Sequence, residues 1–523
     1  MSLIPRCRPP SALLLILALS EAALPGAPEP PEDPAEPMLP LREALAAALE
    51  SNFGIRAESL NPEIAREDTT IAESGFDPRF SAGVSWREIL SARAASVLDG
   101  ADQPENKDLS ADLSVSKRFS PGTEVSAGTD FNRRETNSSN ALLNPDVGSE
   151  FGVEIRQPLF RNFGRSVNLA PVRSAEAGFE ESRIEYERAL AQLFDEVASA
   201  YWEVAAARRR LELRDSSIRL AETILRRTEE ESSLGLATRT DVLQAKAELA
   251  TRLESRLDAR KRLSDTEDRL LFLLGRTPGE EAGEFLTAAL SEPPAETDDM
   301  GTVLGRAMAF DPLRRARERQ VDQRFYDLVG ARDAARPDLD LVLSGDYLGR
   351  DDELGESYRR AIDRDGYRWS AGVELSFPWG FAGEKARERQ SVLRLRQAEI
   401  LMEEAESLVR RDVREAWRQL ESGRAKLDSA KATVELRVEV LESEEARRER
   451  GLSDISDVLE AARLLDDARL REVDAILETT LALSRLTRLD GTIFSRNGFD
   501  PGRLLGRSPD DPSDPDPSGD SSS

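Results

Sequence analysis

Catalysis needs a proton carrier, a nucleophile or a ligand set, and this chain of 523 residues supplies few of these. It has no histidine, which removes the commonest general base and the commonest metal ligand together. The single cysteine, Cys7, precedes an apolar N-terminal run, so neither disulfides nor thiol chemistry can serve the body of the protein. The sequence carries no G-x-x-x-x-G-K-[ST] phosphate loop and no nucleophile constellation. Carboxylates could carry protons, but no acid–base couple stands out among 99 Asp and Glu residues. Asp457 and Glu460 are notable by position: three apart at the predicted start of a helix, they share one helix face. Against 72 Lys and Arg the formal net charge is −27, a field that repels phosphate backbones and speaks against nucleic-acid binding. The composition therefore predicts no enzyme, no metal site and no cofactor.

Positioning such residues falls to very long helices. Leu193, Val197, Ala200, Val204, Ala207 and Leu211 follow the 4-3 spacing of a coiled-coil seam, and Ile218, Ala221 and Leu225 continue it. The spacing predicts a helix from about Val172 to Ser232, a rod of roughly 90 Å at 1.5 Å per residue. A second rod is predicted from about Glu384 to Arg448. The first ends at Gly235 and the second at Gly451, where glycine allows the left-handed backbone that stops a helix. Thr240 and Ser456 are expected to cap the helices that return, so each half forms an antiparallel helical hairpin.

The halves repeat. Gly235 and Gly451 each stand five residues before Asp-Val-Leu, an offset of 451 − 235 = 216. Trp202 and Trp417 are 215 apart, and Gln157-Pro158-Leu159 and Phe377-Pro378-Trp379 are 220 apart. Ala48 to Asn52 resembles Ala307 to Asp311 at an offset of 259, because the first half carries an insertion. Landmarks in the same order predict a duplicated unit at 39–275 and 298–490, joined by a connecting segment 276–297. Each unit reads helix, strands, very long helix, turn, second helix.

The strands alternate with period two. Phe80, Ala82, Val84 and Trp86 face one way, as do Leu109 to Val115, Val125 to Phe131, and Phe151 to Ile155 at every second position. Leu339 to Tyr347 and Trp369 to Phe377 do so in the second half. Segments of about ten residues with this period suit a lipid-facing barrel, and a soluble sandwich with one buried face is the alternative. Trp86, Tyr367 and Trp369 could then form an aromatic girdle or be buried within the sheet, whereas Tyr201, Trp202 and Trp417 read as packing anchors. The polar stretches 89–107, 133–148 and 349–366 are expected as outer loops.

The N-terminus favours the membrane reading. Arg6 and Arg8 precede Ser11 to Leu19, an apolar run too short to span a bilayer, and small residues follow, so 1–23 reads as a secretory signal. A Pro/Glu-rich linker (24–38) comes next. The C-terminal segment 491–523 ends in an acidic tail, Ser508 to Ser523, expected to be disordered. With no other apolar helix, an exported protein that crosses a membrane must do so as a closed barrel.

Over residues 39–490 the sequence resembles the TolC-like outer-membrane efflux family. The resemblance is carried by the paired motifs at Gly235/Asp241 and Gly451/Asp457, by Gln157-Pro158-Leu159-Phe160, and by Leu41-Arg42-Glu43-Ala44-Leu45. It implies an α+β membrane protein of the cell outer membrane, internally duplicated: long coiled-coil hairpins build a periplasmic α-barrel, and a transmembrane antiparallel β-barrel is shared by a homotrimer. It further implies a passive exit duct for efflux or type I secretion, whose tips meet a periplasmic adaptor (membrane fusion) protein and an inner-membrane transporter. By the same resemblance, Asp457 and Glu460 are tunnel-mouth carboxylates, and Arg448 and Arg450 a tip latch, where some members have a tyrosine that this chain lacks. The alternatives for these residues are a helix-start acid, a solvated surface charge and surface arginines. Six strand segments per chain give 6 × 3 = 18 strands if all join the barrel. The family default of twelve requires the extra hairpin around Phe119 to Gly122 to fold aside or merge into longer strands. An exported coiled-coil adaptor or scaffold without a channel fits the heptads and acidity equally well, and the strands poorly.

Overall fold

The computed structural model describes residues 38–92, 103–277, 286–294 and 298–504. The expected signal, most of the linker and the acidic tail lie outside these residues. In chain order the main elements are α1 (Leu41–Ser51), α2 (Leu60–Glu73), β1 (Arg79–Leu90), β2 (Glu105–Arg118), β3 (Glu124–Thr136), β4 (Asp146–Pro158), α3 (Ala170–Ser233), α4 (Arg239–Leu273), α5 (Met300–Phe310), α6 (Pro312–Ala334), β5 (Asp338–Asp351), α7 (Leu354–Ile362), β6 (Gly366–Ser376), α8 (Ala382–Glu449) and α9 (Ile455–Leu489).

The two rods, α3 and α8, run 64 and 68 residues. At 1.5 Å per residue each is about 100 Å long, too long for one compact domain, and its stability must come from side-by-side packing. α3 is the spine. Near the sheet it packs between α2 and α6, and α6 packs in turn on α8; further away it packs between α4 and α9, with α9 on α8. The layer is thus four helices wide at both levels, bounded by α8 on one side and by α2 and α4 on the other. The predicted seam on α3 is in the core: Leu193, Val197, Ala200, Val204 and Ala207 are all buried. Around it, Ala44 and Leu45 of α1, Leu270 and Leu274 at the end of α4, and Ile493 and Phe494 form one cluster. Tyr201 is fully buried within it: its hydroxyl donates to the Leu39 carbonyl (2.9 Å) and accepts from the Ala288 amide (2.6 Å), which holds a two-residue parallel pairing of Met38–Leu39 with Leu286–Thr287. A second cluster joins α5, α8 and α9, and a third joins α3, α8 and α9 close to the tips.

All six strands form one antiparallel sheet in the order β1-β2-β3-β4-β5-β6. The condition for a twelve-stranded barrel is therefore not met within this chain. The β2–β3 hairpin neither folds aside nor merges, but pairs along its length with β1 and β4. The hydrophobic pattern explains this: a strand with alternating faces finds its stable place in register with neighbours of the same alternation. The stretch 349–366 is also not a plain loop. It holds α7, which folds back onto the sheet.

Candidate channel wall and hairpin tips

The register sorts the sheet into two faces. One carries Phe80, Val84 and Trp86 of β1, then Leu113, Val153, Leu343 and Tyr347, and Tyr367, Trp369, Val373 and Leu375 of β6. These side chains are largely uncovered: Val84 is 78 % and Trp369 72 % exposed. A soluble sandwich would bury this face, so the structure overturns that alternative. From Tyr367 in β6 to Phe377 just past its end the span is ten residues (377 − 367). That is about 33 Å of strand, or roughly 25 Å of height at a tilt near 40°, which matches the apolar band of an outer-membrane barrel.

The opposite face is polar and cross-linked from strand to strand. Ser81 bonds Ser114 and Ser85 bonds Ser110, each at 2.7 Å, and Ser344 bonds Ser370 at 2.9 Å. Arg134 reaches Asp108 (2.7 Å), Arg156 reaches both Asp340 (3.1 Å) and Glu374 (2.7 Å), and Arg368 reaches Asp346 (3.0 Å) and Glu150. Opposite charges directly across a ladder, as in Arg134–Asp108 and Arg368–Asp346, or diagonal to one another, as in Arg156–Asp340, stabilise the register and leave a hydrated, net acidic surface.

α7 covers the far end of the apolar face. The Ser357 hydroxyl donates to the Gly349 carbonyl (3.1 Å) and pairs with the Ser149 hydroxyl (3.0 Å), and the Tyr358 ring meets Phe151 edge-on at 5.5 Å. The fit depends on Gly349: a Cβ there would run into the Ser357 carbonyl. Leu354, Tyr358 and Ile362, spaced four apart, were the available sequence signal for this helix, obscured by the acids and arginines around them.

At the other end of the molecule the two hairpins close alike. Gly235 (φ 74°) and Gly451 (φ 73°) are left-handed. The Leu236 amide donates to the Glu231 carbonyl (2.9 Å) and that of Gly235 to Ser232 (3.1 Å); Leu452 to Arg447 (2.9 Å) and Gly451 to Arg448 (2.8 Å) repeat the arrangement. This is the Schellman motif, which satisfies the orphan carbonyls of a helix end. The returning helices are capped two residues earlier than expected, by Thr238 and Asp454 in place of Thr240 and Ser456. Each cap forms a reciprocal box with an acid three residues on. The Asp241 amide donates to Thr238 (3.2 Å) while the Thr238 amide donates to Asp241 (2.8 Å), and the Asp454 amide donates to Asp457 (3.2 Å).

Asp457 thus spends its carboxylate on the helix start and also accepts from the Ser453 hydroxyl (3.1 Å). Glu460 is exposed and holds Arg463 at 2.6 and 2.9 Å; the hydrogen bond from that guanidinium keeps its carboxyl below the usual range. Asp457 and Glu460 therefore both have partners inside the chain. Arg448 reaches across to α3 and contacts Glu231 at 2.6 Å, whereas Arg450 forms the end of α8. Glu231 is a residue that sequence reading missed. It lies four before Gly235 as Arg448 lies three before Gly451 (235 − 231, 451 − 448), a near-equivalent place in the two tips.

Further up, Arg252 of α4 is buried at 5 % side-chain exposure, where it donates to Asp466 of α9 (2.9 Å) and to the Ser217 carbonyl of α3 (3.0 Å). Burial pushes the Asp466 carboxyl up, against the Ser217 hydroxyl and Arg252, which draw it down. Between α2 and α6, across α3, lies a groove of about 830 Å³ lined by Glu58, Asp68, Glu181, Glu185 and Asp327. Burial, with Glu185 adding to it, raises the Glu181 carboxyl above the ordinary glutamate range. Among the described residues no cluster of three or more metal-ligating side chains occurs, and no helix is long and apolar enough to cross a membrane.

A sheet apolar on one side and polar on the other, set on long helical hairpins, offers one face to lipid and one to water. The model of the outer membrane efflux protein family matches residues 115–276 and 303–492. The chain belongs to that family. Outer membrane efflux protein BepC of Brucella suis biovar 1 (strain 1330) is 25 % identical over 342 residues, 65 % of this chain and 71 % of BepC. Among solved structures, the outer-membrane channel OprN superposes with a TM-score of 0.65 at 18 % identity, covering 86 % of this chain and 90 % of OprN. The Campylobacter jejuni CmeC outer membrane channel gives 0.65 at 15 % identity, covering 89 % and 88 %. As a family member the chain is an outer-membrane efflux channel subunit, in a family of channel proteins and not of enzymes. The adaptor or scaffold alternative is set aside with that.

Proposed function

We propose that three copies close into a passive exit duct: the sheets ring an outer-membrane barrel, and the hairpins form a tunnel that extends through the periplasm. The observation that carries this is the coincidence of open edges. α2 leads directly into β1 and β6 leads directly into α8. The free sides of the sheet and of the helical layer therefore lie together, and both expose apolar side chains. Leu60, Ile64 and Ile71 on α2, and Leu253 and Leu257 on α4, are exposed, as are Leu393, Ile400 and Leu436 on α8. Identical wedges with two such sides close by cyclic symmetry.

The tips are the docking surface for a periplasmic adaptor, which couples the duct to an inner-membrane transporter that supplies the energy. Leu234, Leu236 and Leu452 support this, since all three stand exposed at the turns. Arg448 acts as the latch through Glu231, and Glu460 lies at the mouth with its charge shared by Arg463. Expression with the native leader, followed by membrane fractionation, tests the reading. A heat-labile trimer in the outer-membrane fraction is expected; a folded, detergent-free monomer in the periplasm overturns it.

A further inference from the structure

We infer that the barrel of this protein has eighteen strands, the β2–β3 hairpin being a full part of its wall and β1 of one copy pairing with β6 of the next. The inference rests on the three-copy reading and adds what the wall is made of.

Four observations carry it. First, the hairpin is built into the sheet at both ends. Its strands run 14 and 13 residues, as long as their neighbours. Its turn is tied to the strand–helix junction below by the Gly164 amide, which donates to the Pro121 carbonyl (3.0 Å), and by the Thr123 hydroxyl, which donates to Gln157 (2.5 Å). Removing it from the wall breaks two complete ladders and these ties.

Second, the hairpin keeps the two-faced pattern. Leu109, Ala111, Leu113 and Val115 continue the apolar face, and Ser110, Asp112, Ser114 and Ser116 the polar one. A hairpin displaced into water would expose the first set, and one displaced into lipid would bury the second.

Third, the free edges match. β1 rises out of α2 and β6 descends into α8, so copies placed side by side meet antiparallel. The strands have 12 and 11 residues. Each carries aromatic and aliphatic side chains on the same face: Phe80, Val84 and Trp86 against Trp369, Val373 and Leu375. An unpaired edge in hydrocarbon leaves a row of amides and carbonyls unsatisfied at several kcal/mol each, so only closure removes the cost.

Fourth, the sizes agree. Three chains with layers four helices wide give a ring of twelve helices, about 110 Å around at interaxial distances of roughly 8–10 Å. Eighteen strands about 4.8 Å apart, tilted near 40°, give about 113 Å; twelve give only about 75 Å. The eighteen-stranded wall continues the bore of the tunnel with a backbone diameter of about 36 Å, where twelve strands would narrow it to about 24 Å.

The test is a density map of the full-length assembly in lipid nanodiscs, combined with lipid-quenching at the hairpin. Eighteen strands around a threefold axis are expected. A trimer with twelve strands and the hairpin outside the wall overturns the inference and leaves the duct reading intact. A particle that is not a trimer, or has no barrel, sinks that reading as well. For the second measurement a fluorophore is attached to Leu113→Cys or, separately, to Ser114→Cys in the assembled protein, whose sole natural cysteine is Cys7. Brominated acyl chains should quench the label at 113 several-fold more than that at 114. Equal quenching at both positions overturns the inference.

Discussion

The Arg448 guanidinium sits 2.6 Å from the Glu231 carboxylate, joining the tip of one helical hairpin to the tip of the other across 217 residues of sequence. Arg448 is largely covered and Glu231 half so. A pair of this kind contributes about 0.2–1 kcal/mol, little for one chain. In the proposed trimer, with three copies opening together, it amounts to roughly 1–3 kcal/mol, or about tenfold in the ratio of closed to open tips. Glu231→Gln or Arg448→Gln should raise spontaneous conductance in planar bilayers by about that factor. The exchange Glu231→Arg with Arg448→Glu should restore most of the closure. A silent double exchange alongside silent single variants would remove the pair from the gate.

The acids at the second tip should not behave alike. Asp457 is engaged in its capping box, so Asp457→Asn should loosen the start of α9 by about 1 kcal/mol, seen as faster amide exchange over residues 455–459. Its effect on block by divalent cations should be small. Glu460→Gln should weaken that block, and Arg463→Gln should strengthen it by releasing the Glu460 charge. If Asp457→Asn relieves block as much as Glu460→Gln does, the capping role is secondary.

Glu181 sets a pH dependence. Burial raises its carboxyl in the folded chain above the value it has when unfolded, so between the two values the native state binds more protons. This contribution to stability is present below the ordinary glutamate range and is lost as pH rises through the elevated folded value. Glu181→Gln should therefore raise the thermal midpoint at neutral pH, and the gain should vanish near about pH 4, where both side chains are neutral. A constant gain across that range would place its origin elsewhere.

The seat of α7 turns on one backbone contact. Gly349→Val puts a branched side chain where the helix backbone of Ser357 lies. The helix should leave the sheet, and in intact cells trypsin added from outside should then cleave after Arg359 or Arg360 at least several-fold faster than in the parent. Unchanged cleavage would show that α7 tolerates displacement of Gly349.

Long-range periodicity made most of this fold legible. The 4-3 spacing from Leu193 to Ala207 fixed α3 to within two residues at its start, because a seam of that length has no other way to be buried. Strict alternation gave all six strands, and their pairing then showed that all six join one sheet. What escaped reading depends on distance and not on pattern. Thr238 and Thr240 both precede Asp241, and only the three-residue reach of a capping box selects Thr238. α7 is nine residues long and its apolar faces are small, so acids and arginines hid it. Glu231 looked like any acid of a solvated face until packing brought Arg448 to it. The buried contact of Arg252 with Asp466 likewise needs three helices from both halves of the chain to meet.

The shared open sides of sheet and helices also bear on inheritance. In the proposed ring of three, a subunit with a spoiled β1 edge breaks the seam wherever it is incorporated, since no neighbour can bridge the gap. If spoiled and sound chains are made in equal amounts and mix freely, about one ring in eight is sound. A damaged copy of the gene should therefore be dominant, silencing most of the export capacity of a cell that still carries an intact one.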